Sequence, residues 1–266
     1  MHTGTMEWRK ISNSFPCMGT LVRISLYTRD EAKANRAIAA AKARFELLNA
    51  ILSDYLPTSE LNLLCRAPHL KTTKVSADLF AVLSFSQRLA LLSHGAFDVT
   101  IGARTRGRKG TVGYRHMALG NHTVTLLKAD MQLDLGGVAK GYATDQASRV
   151  LRDHGQDRHL VAASGDIRVW DAPPGVTGWS IGLGGDNNTE VLARCAVSTS
   201  GNTYQPGHIF DPRTLAPIAT RDTMTIVAPD GMTADGLATA CMVLPAEERA
   251  ELLTHFPRAR LIVLAG

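Results

Sequence analysis

Five segments of the chain carry side chains able to do chemistry. In LDLGGVAKGYATD, residues 133–145, a strand pattern runs into two glycines and then a helix pattern. Backbone amides at such a helix start can approach an anion, and the macrodipole favours negative charge there. Lys140 falls on the first turn, within reach of a phosphate held at that point. The segment lacks the GxGxxG spacing of dinucleotide-binding folds and the GxxxxGKS or GxxxxGKT of P-loops, so strand–turn–helix packing explains it equally well. In TADGLATA, residues 233–240, Thr233 reads as a helix cap, which sets Asp235 and Thr239 on one face near an exposed helix start. A carboxylate and a hydroxyl so spaced suit a hard cation that keeps waters and substrate oxygens as its other ligands. Alternatively, Asp235 complements the helix dipole and Thr239 packs. GHIFDPRT, residues 207–214, puts His208 just before an Asp-Pro turn, where an imidazole can act as general acid or base near neutral pH. The chain has nine histidines, and a loop histidine can equally be a surface residue. GAFDVT, residues 95–100, sets Asp98 after a glycine and an aromatic, and PCMGT, residues 16–20, reads as a turn before a first strand. Neither points to a chemistry alone.

The elements that must position these residues follow from periodicity. A strand over 21–26 leads to Asp30, an N-cap, and a long helix with Ala34, Ile38, Ala41, Phe45, Leu48 and Leu52 on one face. SDYLPTSELN, residues 53–62, reads as a loop, and a helix from about Ser76 carries Leu79, Val82, Leu83 and Ala90. Residues 102–120 are rich in glycine and basic side chains and read as loop. Strands over 124–127 and 132–135 precede a helix with Ala139, Ala143, Ala147, Val150 and Leu151 inward. Short strands over 160–163, 180–183, 196–199 and 223–228, a helix from about Thr233 and a strand Arg260–Leu264 complete the pattern. The order helix-then-strands occurs twice, and clustered strands favour α+β over a doubly wound sheet.

Composition narrows the class. The 266 residues are 45% hydrophobic and 20% charged, as in an ordinary globular protein. No run approaches the roughly 18 apolar residues of a transmembrane helix. The first twenty residues show no apolar h-region, so the expected location is cytoplasmic as written, or periplasmic if a leader has been removed. The net charge of +5 is concentrated around Arg104, Arg106, Arg108, Lys109, Arg115 and His116, with only Tyr114 as a nearby aromatic. That pattern argues against nucleic acid as a partner. It leaves a solvated loop, or a loop facing phosphate or an acidic partner. Cys17, Cys65, Cys195 and Cys241 are scattered without a CxxC pair, which excludes the common zinc and redox motifs.

In order along the chain, CMGT, SDYLPTSELN, GAFDVTIG, LDLGGVAKGYATD, SGD (164–166), STSGNTY (198–204), HIFDPRT and ADGLATA resemble the FAD:protein FMN transferases of the ApbE family. The resemblance covers nearly the whole chain and rests on the order of these segments rather than on any one of them. It implies an α+β fold with a duplicated β-α-β4-type arrangement, mixed or antiparallel sheets and packed helices. One FMN transferase domain would span 1–266, with two closely packed halves of about 1–120 and about 121–266. The implied activity moves the FMN half of FAD onto a threonine or serine hydroxyl of an acceptor flavoprotein subunit, releasing AMP, with Mg²⁺ as cofactor. Gly137 would offer its carbonyl, and Asp235 and Thr239 their side chains, to the metal. Met18, Tyr55, Ala96, Phe97, Asp98, Asp134 and Lys140 would form the FAD site, and His208 would be catalytic. Two other activities use the same residues: a Mg²⁺-dependent FAD pyrophosphatase giving FMN and AMP, and a non-catalytic FAD carrier. The chain departs from the family pattern at Leu215, where glycine is usual, at Ser164-Gly165 in place of two glycines, and in the basic run Arg104 to Lys109. Family members are commonly exported and lipid-anchored.

Overall fold

The computed structural model describes residues 7–183, 188–201, 209–220 and 222–264. The chain opens with β1 (Arg9–Cys17), turns at Met18-Gly19 and returns as β2 (Thr20–Thr28). Both turn residues have positive φ, 51° and 70°, as a two-residue hairpin requires. PCMGT is therefore a hairpin turn between two strands rather than the approach to a first one. Asp30 accepts from the Lys33 N–H and caps α1 (Glu31–Leu52), whose buried face matches the expected spacing. Ser59 caps α2 (Glu60–Arg66) by accepting from the Asn62 N–H, so the end of SDYLPTSELN, from Glu60, is helix and not loop. After β3 (Thr73–Lys74), Ser76 caps α3 (Ala77–Leu92).

The basic segment expected as loop holds a one-turn helix, α4 (Gly102–Thr105), and a 3₁₀ turn at Tyr114–His116. It ends in β4 (Met117–Leu119), which pairs with β5 (Thr123–Leu126). Residues 132–135 make no strand ladder among the described residues. Gln132 bridges Ile101 in parallel, and the Asp134 N–H donates to the Val99 carbonyl. Then come α5 (Ala139–Asp153), β6 (His159–Ala163), β7 (Asp166–Val169), β8 (Trp179–Gly182), β9 (Thr189–Leu192) and β10 (Cys195–Gly201). The two-residue strands β11 (Phe210–Asp211) and β12 (Ala216–Pro217) form a hairpin ahead of β13 (Thr223–Ala228). The chain closes with α6 (Gly231–Val243), α7 (Ala246–Thr254) and β14 (Arg260–Leu264).

Among the described residues the main sheet has seven strands in the order β1-β2-β6-β7-β10-β13-β14, each antiparallel to its neighbours. Helices α1, α5 and α6 cover one face, and the β8–β9 hairpin covers part of the other. In β6 the period of two is visible directly. Val161 and Ala163 join the main core under the helices, while Leu160 and Ala162 join a second core with Trp179, Ile181 and Val197. The fold is α+β, with antiparallel sheets and packed helices. No helix among the described residues is long and apolar enough to cross a membrane.

His159, wholly buried at the start of β6, ties the sheet to α5. Its Nδ1 lies 2.6 Å from the Gln156 carbonyl and its Nε2 lies 2.7 Å from Ser148 Oγ. A neutral ring satisfies both, donating to the carbonyl and accepting from the hydroxyl. Burial, with Arg152 and Arg168 nearby, pushes its pKa down from 6.5 to about 4. Above pH 6.5 the ring is neutral in both states. As pH falls from there towards 4, the unfolded chain takes a proton that the folded chain refuses, and about 3 kcal/mol of stability is lost. His159→Gln should flatten that part of the stability–pH curve, and the wild-type ring should titrate near 4 by NMR. Titration at an ordinary value, with an unchanged slope in the variant, would refute this.

Candidate functional site

Helices α5 and α6 meet backbone to backbone. A Cβ on Gly141 would lie 2.1 Å from the Gly231 carbonyl oxygen, and one on Gly231 would lie 2.4 Å from that of Gly141. A side chain at either position would drive the helices apart. Asp145 of α5 reinforces the contact by accepting the N–H groups of Gly231 and Met232 at 2.8 and 3.0 Å. Asp230 caps α6 through the Thr233 N–H at 2.8 Å. Thr233, expected as the cap, is instead a capped residue of the first turn.

This crossing lays α6 against the start of α5. Asp235 Oδ2 accepts the Gly141 N–H at 3.0 Å across 94 residues of sequence. Thr239, one turn further on, packs on Gly137, where an added Cβ would lie 2.7 Å from Thr239 Oγ1. Gly137, Asp235 and Thr239 are thus brought together. Asp235 is only 3% exposed, so it belongs to the interior and not to an exposed helix start.

Asp166 and Ser198, which the sequence did not mark as site residues, complete the cluster. Lys140 Nζ lies 3.3 Å from Asp166 Oδ2 and donates to the Gly136 carbonyl at 3.1 Å. Asp166, buried at the start of β7, accepts a 2.6 Å hydrogen bond from Ser198 Oγ on β10. Burial, together with the charge of Asp166, pushes Asp235 above the ordinary carboxylate range, against the pull of Lys140 and the Gly141 N–H. Lys140 loses hydration, yet Asp166 and Asp235 hold it charged above the ordinary lysine range. Two buried carboxylates facing one ammonium leave an excess of negative charge. Among the described residues no three His, Cys, Asp or Glu side chains form a ready metal cage. Asp235 and Thr239 offer a carboxylate and a hydroxyl one helical turn apart beside Gly137, donors that suit a hard cation drawing its other ligands from water and phosphate.

The remaining residues singled out in the sequence are distributed as follows. Asp134 accepts the Gly136 N–H at 2.8 Å and Thr105 Oγ1 at 2.7 Å. Asp54 pairs with Arg106 at 3.1 Å, and burial, then the charge of Asp134, raises its pKa. Tyr55, beside it, is 88% exposed. Met18 is half-buried in the β1–β2 turn. Ala96 and Phe97 are buried in the main core. Asp98 is also buried; its carboxylate accepts the Thr100 N–H, Thr100 Oγ1 and the Tyr114 N–H at 2.9, 2.7 and 2.7 Å, closing the loop between them. Burial raises its pKa in spite of those bonds. His208 lies outside the described residues.

Comparison with known proteins agrees with this architecture. The profile described as the ApbE family matches residues 18–263. The chain is 29% identical to a FAD:protein FMN transferase of Treponema pallidum, over 96% of this chain and 84% of the relative. It is 26% identical to one of Klebsiella pneumoniae, over 89% and 79%. Among solved structures, the flavin transferase ApbE of Vibrio cholerae superposes with a TM-score of 0.86 at 24% identity, covering 97% of this chain and 94% of that one. The apo flavinyl transferase ApbE of Pseudomonas stutzeri gives 0.85 at 22% identity, over 98% and 93%.

Proposed function

The chain belongs to the ApbE family, and on that premise we propose that it is a Mg²⁺-dependent FAD:protein FMN transferase. The observation that carries this reading is the meeting of Gly137, Asp235 and Thr239 beside Lys140, where buried negative charge is in excess. In this reading the Gly137 carbonyl and the Asp235 and Thr239 side chains hold Mg²⁺. Bound there, the ion supplies charge neutralisation for a pyrophosphate and its leaving phosphate. Lys140 balances Asp166 and Asp235 and faces the nucleotide phosphates. Asp134 and the exposed Tyr55 contact FAD, with Met18 at the hairpin turn. Ala96, Phe97 and Asp98 shape the wall from behind. His208 accepts the proton of a threonine or serine hydroxyl as its oxygen bonds to the FMN phosphorus. The anhydride P–O bond breaks, and the bridging oxygen leaves with AMP.

The test is to mix protein, FAD, Mg²⁺ and candidate acceptor flavoproteins and follow mass and AMP together. Transfer predicts one FMN gained by the acceptor for each AMP released. AMP formed equally fast without an acceptor would make the protein an FAD pyrophosphatase. FAD binding with no AMP would make it a carrier. FAD should also bind more tightly than riboflavin, because in this reading the site takes the pyrophosphate and adenine together, and equal affinity by titration would sink that expectation.

A further inference from the structure

The basic run that follows GAFDVTIG is not a uniform solvated loop. Arg104, Arg108 and Lys109 are exposed and Arg106 is half-buried, yet Arg104 of α4 and Arg106 at its C-cap reach to two different segments. Arg106 lies 3.1 Å from Asp54 Oδ2, donates to the Asp54 carbonyl at 2.6 Å and reaches Gln132 Oε1 at 3.4 Å. Arg104 donates from Nε to the Leu215 carbonyl at 3.0 Å, and its guanidinium sits 5.3 Å from the centre of the Phe210 ring. Between them Thr105 bonds Asp134. α4 is itself a fixed point. A Cβ on Gly102 would lie 2.7 Å from the Gln132 carbonyl oxygen, and the Gly102 N–H donates to that carbonyl at 3.1 Å.

Each partner segment is shaped internally by its own bonds. In the 53–58 loop, Asn62 Nδ2 donates to the Asp54 and Leu56 carbonyls, both at 2.8 Å, and Ser59 Oγ donates to the Ser53 carbonyl at 2.6 Å. In the β11–β12 hairpin the Leu215 N–H donates to the Asp211 carbonyl at 2.7 Å and the Ile218 N–H to the Ile209 carbonyl at 2.9 Å. These bonds give the segments their shape. The two arginines tie the segments to α4 and its C-cap, and Arg213 also ties the hairpin to Glu248 of α7 at 3.4 Å.

We propose that Arg104 and Arg106 are positioning residues that brace two walls of the nucleotide site from one short helix. Arg106 places the loop carrying Tyr55, and Arg104 places the hairpin that follows His208 in the chain. The proposal rests on the reading that FAD is bound by these segments. Arginine suits the task because its planar fork can engage a carboxylate and a carbonyl together, which a lysine ammonium on a flexible stem does not reproduce. That separates bracing from simple attraction of anions, since Arg106→Lys keeps the charge and loses the fork.

The experiment compares Arg104→Ala, Arg106→Ala and Arg106→Lys with the wild type in the full chain. Amide hydrogen exchange is read without FAD, kinetics are read with FAD and acceptor, and thermal unfolding confirms that each variant is folded. Both Arg106 variants should speed exchange in residues 53–62 and leave 209–218 unchanged. They should raise the KM for FAD about tenfold, as loss of a charged hydrogen bond predicts, with kcat changed by less than about threefold. Arg104→Ala should speed exchange in 209–218 and lower kcat about tenfold, with the KM for FAD near wild type. Unchanged exchange in either segment, faster exchange with wild-type kinetics, or Arg106→Lys behaving as wild type would overturn the brace. If the wild-type protein itself neither binds nor turns over FAD, the proposed function falls, and the exchange patterns alone decide whether the two arms exist.

Discussion

Asp235→Ala should abolish FMN transfer while the protein stays folded. The activity arm follows from the chemistry of the cluster. Without this carboxylate, Thr239 and the Gly137 carbonyl would face a cation with no neighbouring negative charge on α6. Losing a bound divalent ion removes several kcal/mol of transition-state stabilisation, a rate loss of about 10³-fold or more. The folding arm follows from burial. Asp235 is 3% exposed, and burial and the charge of Asp166 push its pKa up, so the ionised form is under strain in the folded chain. Removing it leaves Asp166 and Lys140 matched one to one, which offsets the loss of the acceptor for the Gly141 N–H, worth about 1 kcal/mol. Thermal unfolding should therefore shift little. Excess chelator should bring the wild type down to the level of the variant and leave the variant unchanged. A variant that still modified its acceptor, or a chelated wild type at full rate, would remove Asp235 from the reaction.

Much of this site was legible because its parts are short-range. The spacing of Asp235 and Thr239 places them on one helix face whatever surrounds the helix, and Asp30 and Ser76 cap the helices that the periodicity outlined. Clustered strands already favoured α+β, and the family resemblance implied mixed or antiparallel sheets. What the sequence hid are properties of partnership. β1 is an edge strand in which only Phe15 is buried, so no apolar alternation announces it. The Ser59 cap of α2 was masked by a stretch that looks like turn, although Leu61 and Leu64 supply the first turn of an inward face. Asp166 gains its role only when β7 and β10 pair and bring Ser198 beside it. Arg104 and Arg106 look like neighbours in one charge run, yet their partners lie 111 and 52 residues away. Asp98 was marked for its position after a glycine and an aromatic, and its carboxylate turns out to close a loop. Spacing reports what one element can present. It does not report what the next element will bring.

Gly141 is the residue whose change should do most damage to fold and site together. In a helix, glycine is ordinarily the weaker choice, so Gly→Ala within α5 would be expected to gain up to about 1 kcal/mol from propensity alone. Here the added methyl would sit 2.1 Å from the Gly231 carbonyl oxygen and 2.7 Å from Asp235 Cβ. Both obstacles lie on a neighbouring helix, and one is backbone, so no rotamer change relieves them. The helices must separate, and overpacking of this kind costs about 1–3 kcal/mol or more. The separation would also carry Asp235 away from the Gly141 N–H and Thr239 away from Gly137, and a misplacement of about 1 Å in such a site can cost about 10²-fold in rate. Gly141→Ala should accordingly lower the unfolding temperature, slow transfer and require more Mg²⁺ for half-maximal rate. Gly182→Ala is the control, since nothing lies within 4 Å of its added Cβ, and it should leave stability and rate unchanged. Wild-type stability in Gly141→Ala would show that the helix crossing is looser than the backbone contact implies. Lowered stability with a normal rate and normal Mg²⁺ dependence would show that this crossing is not what places Asp235.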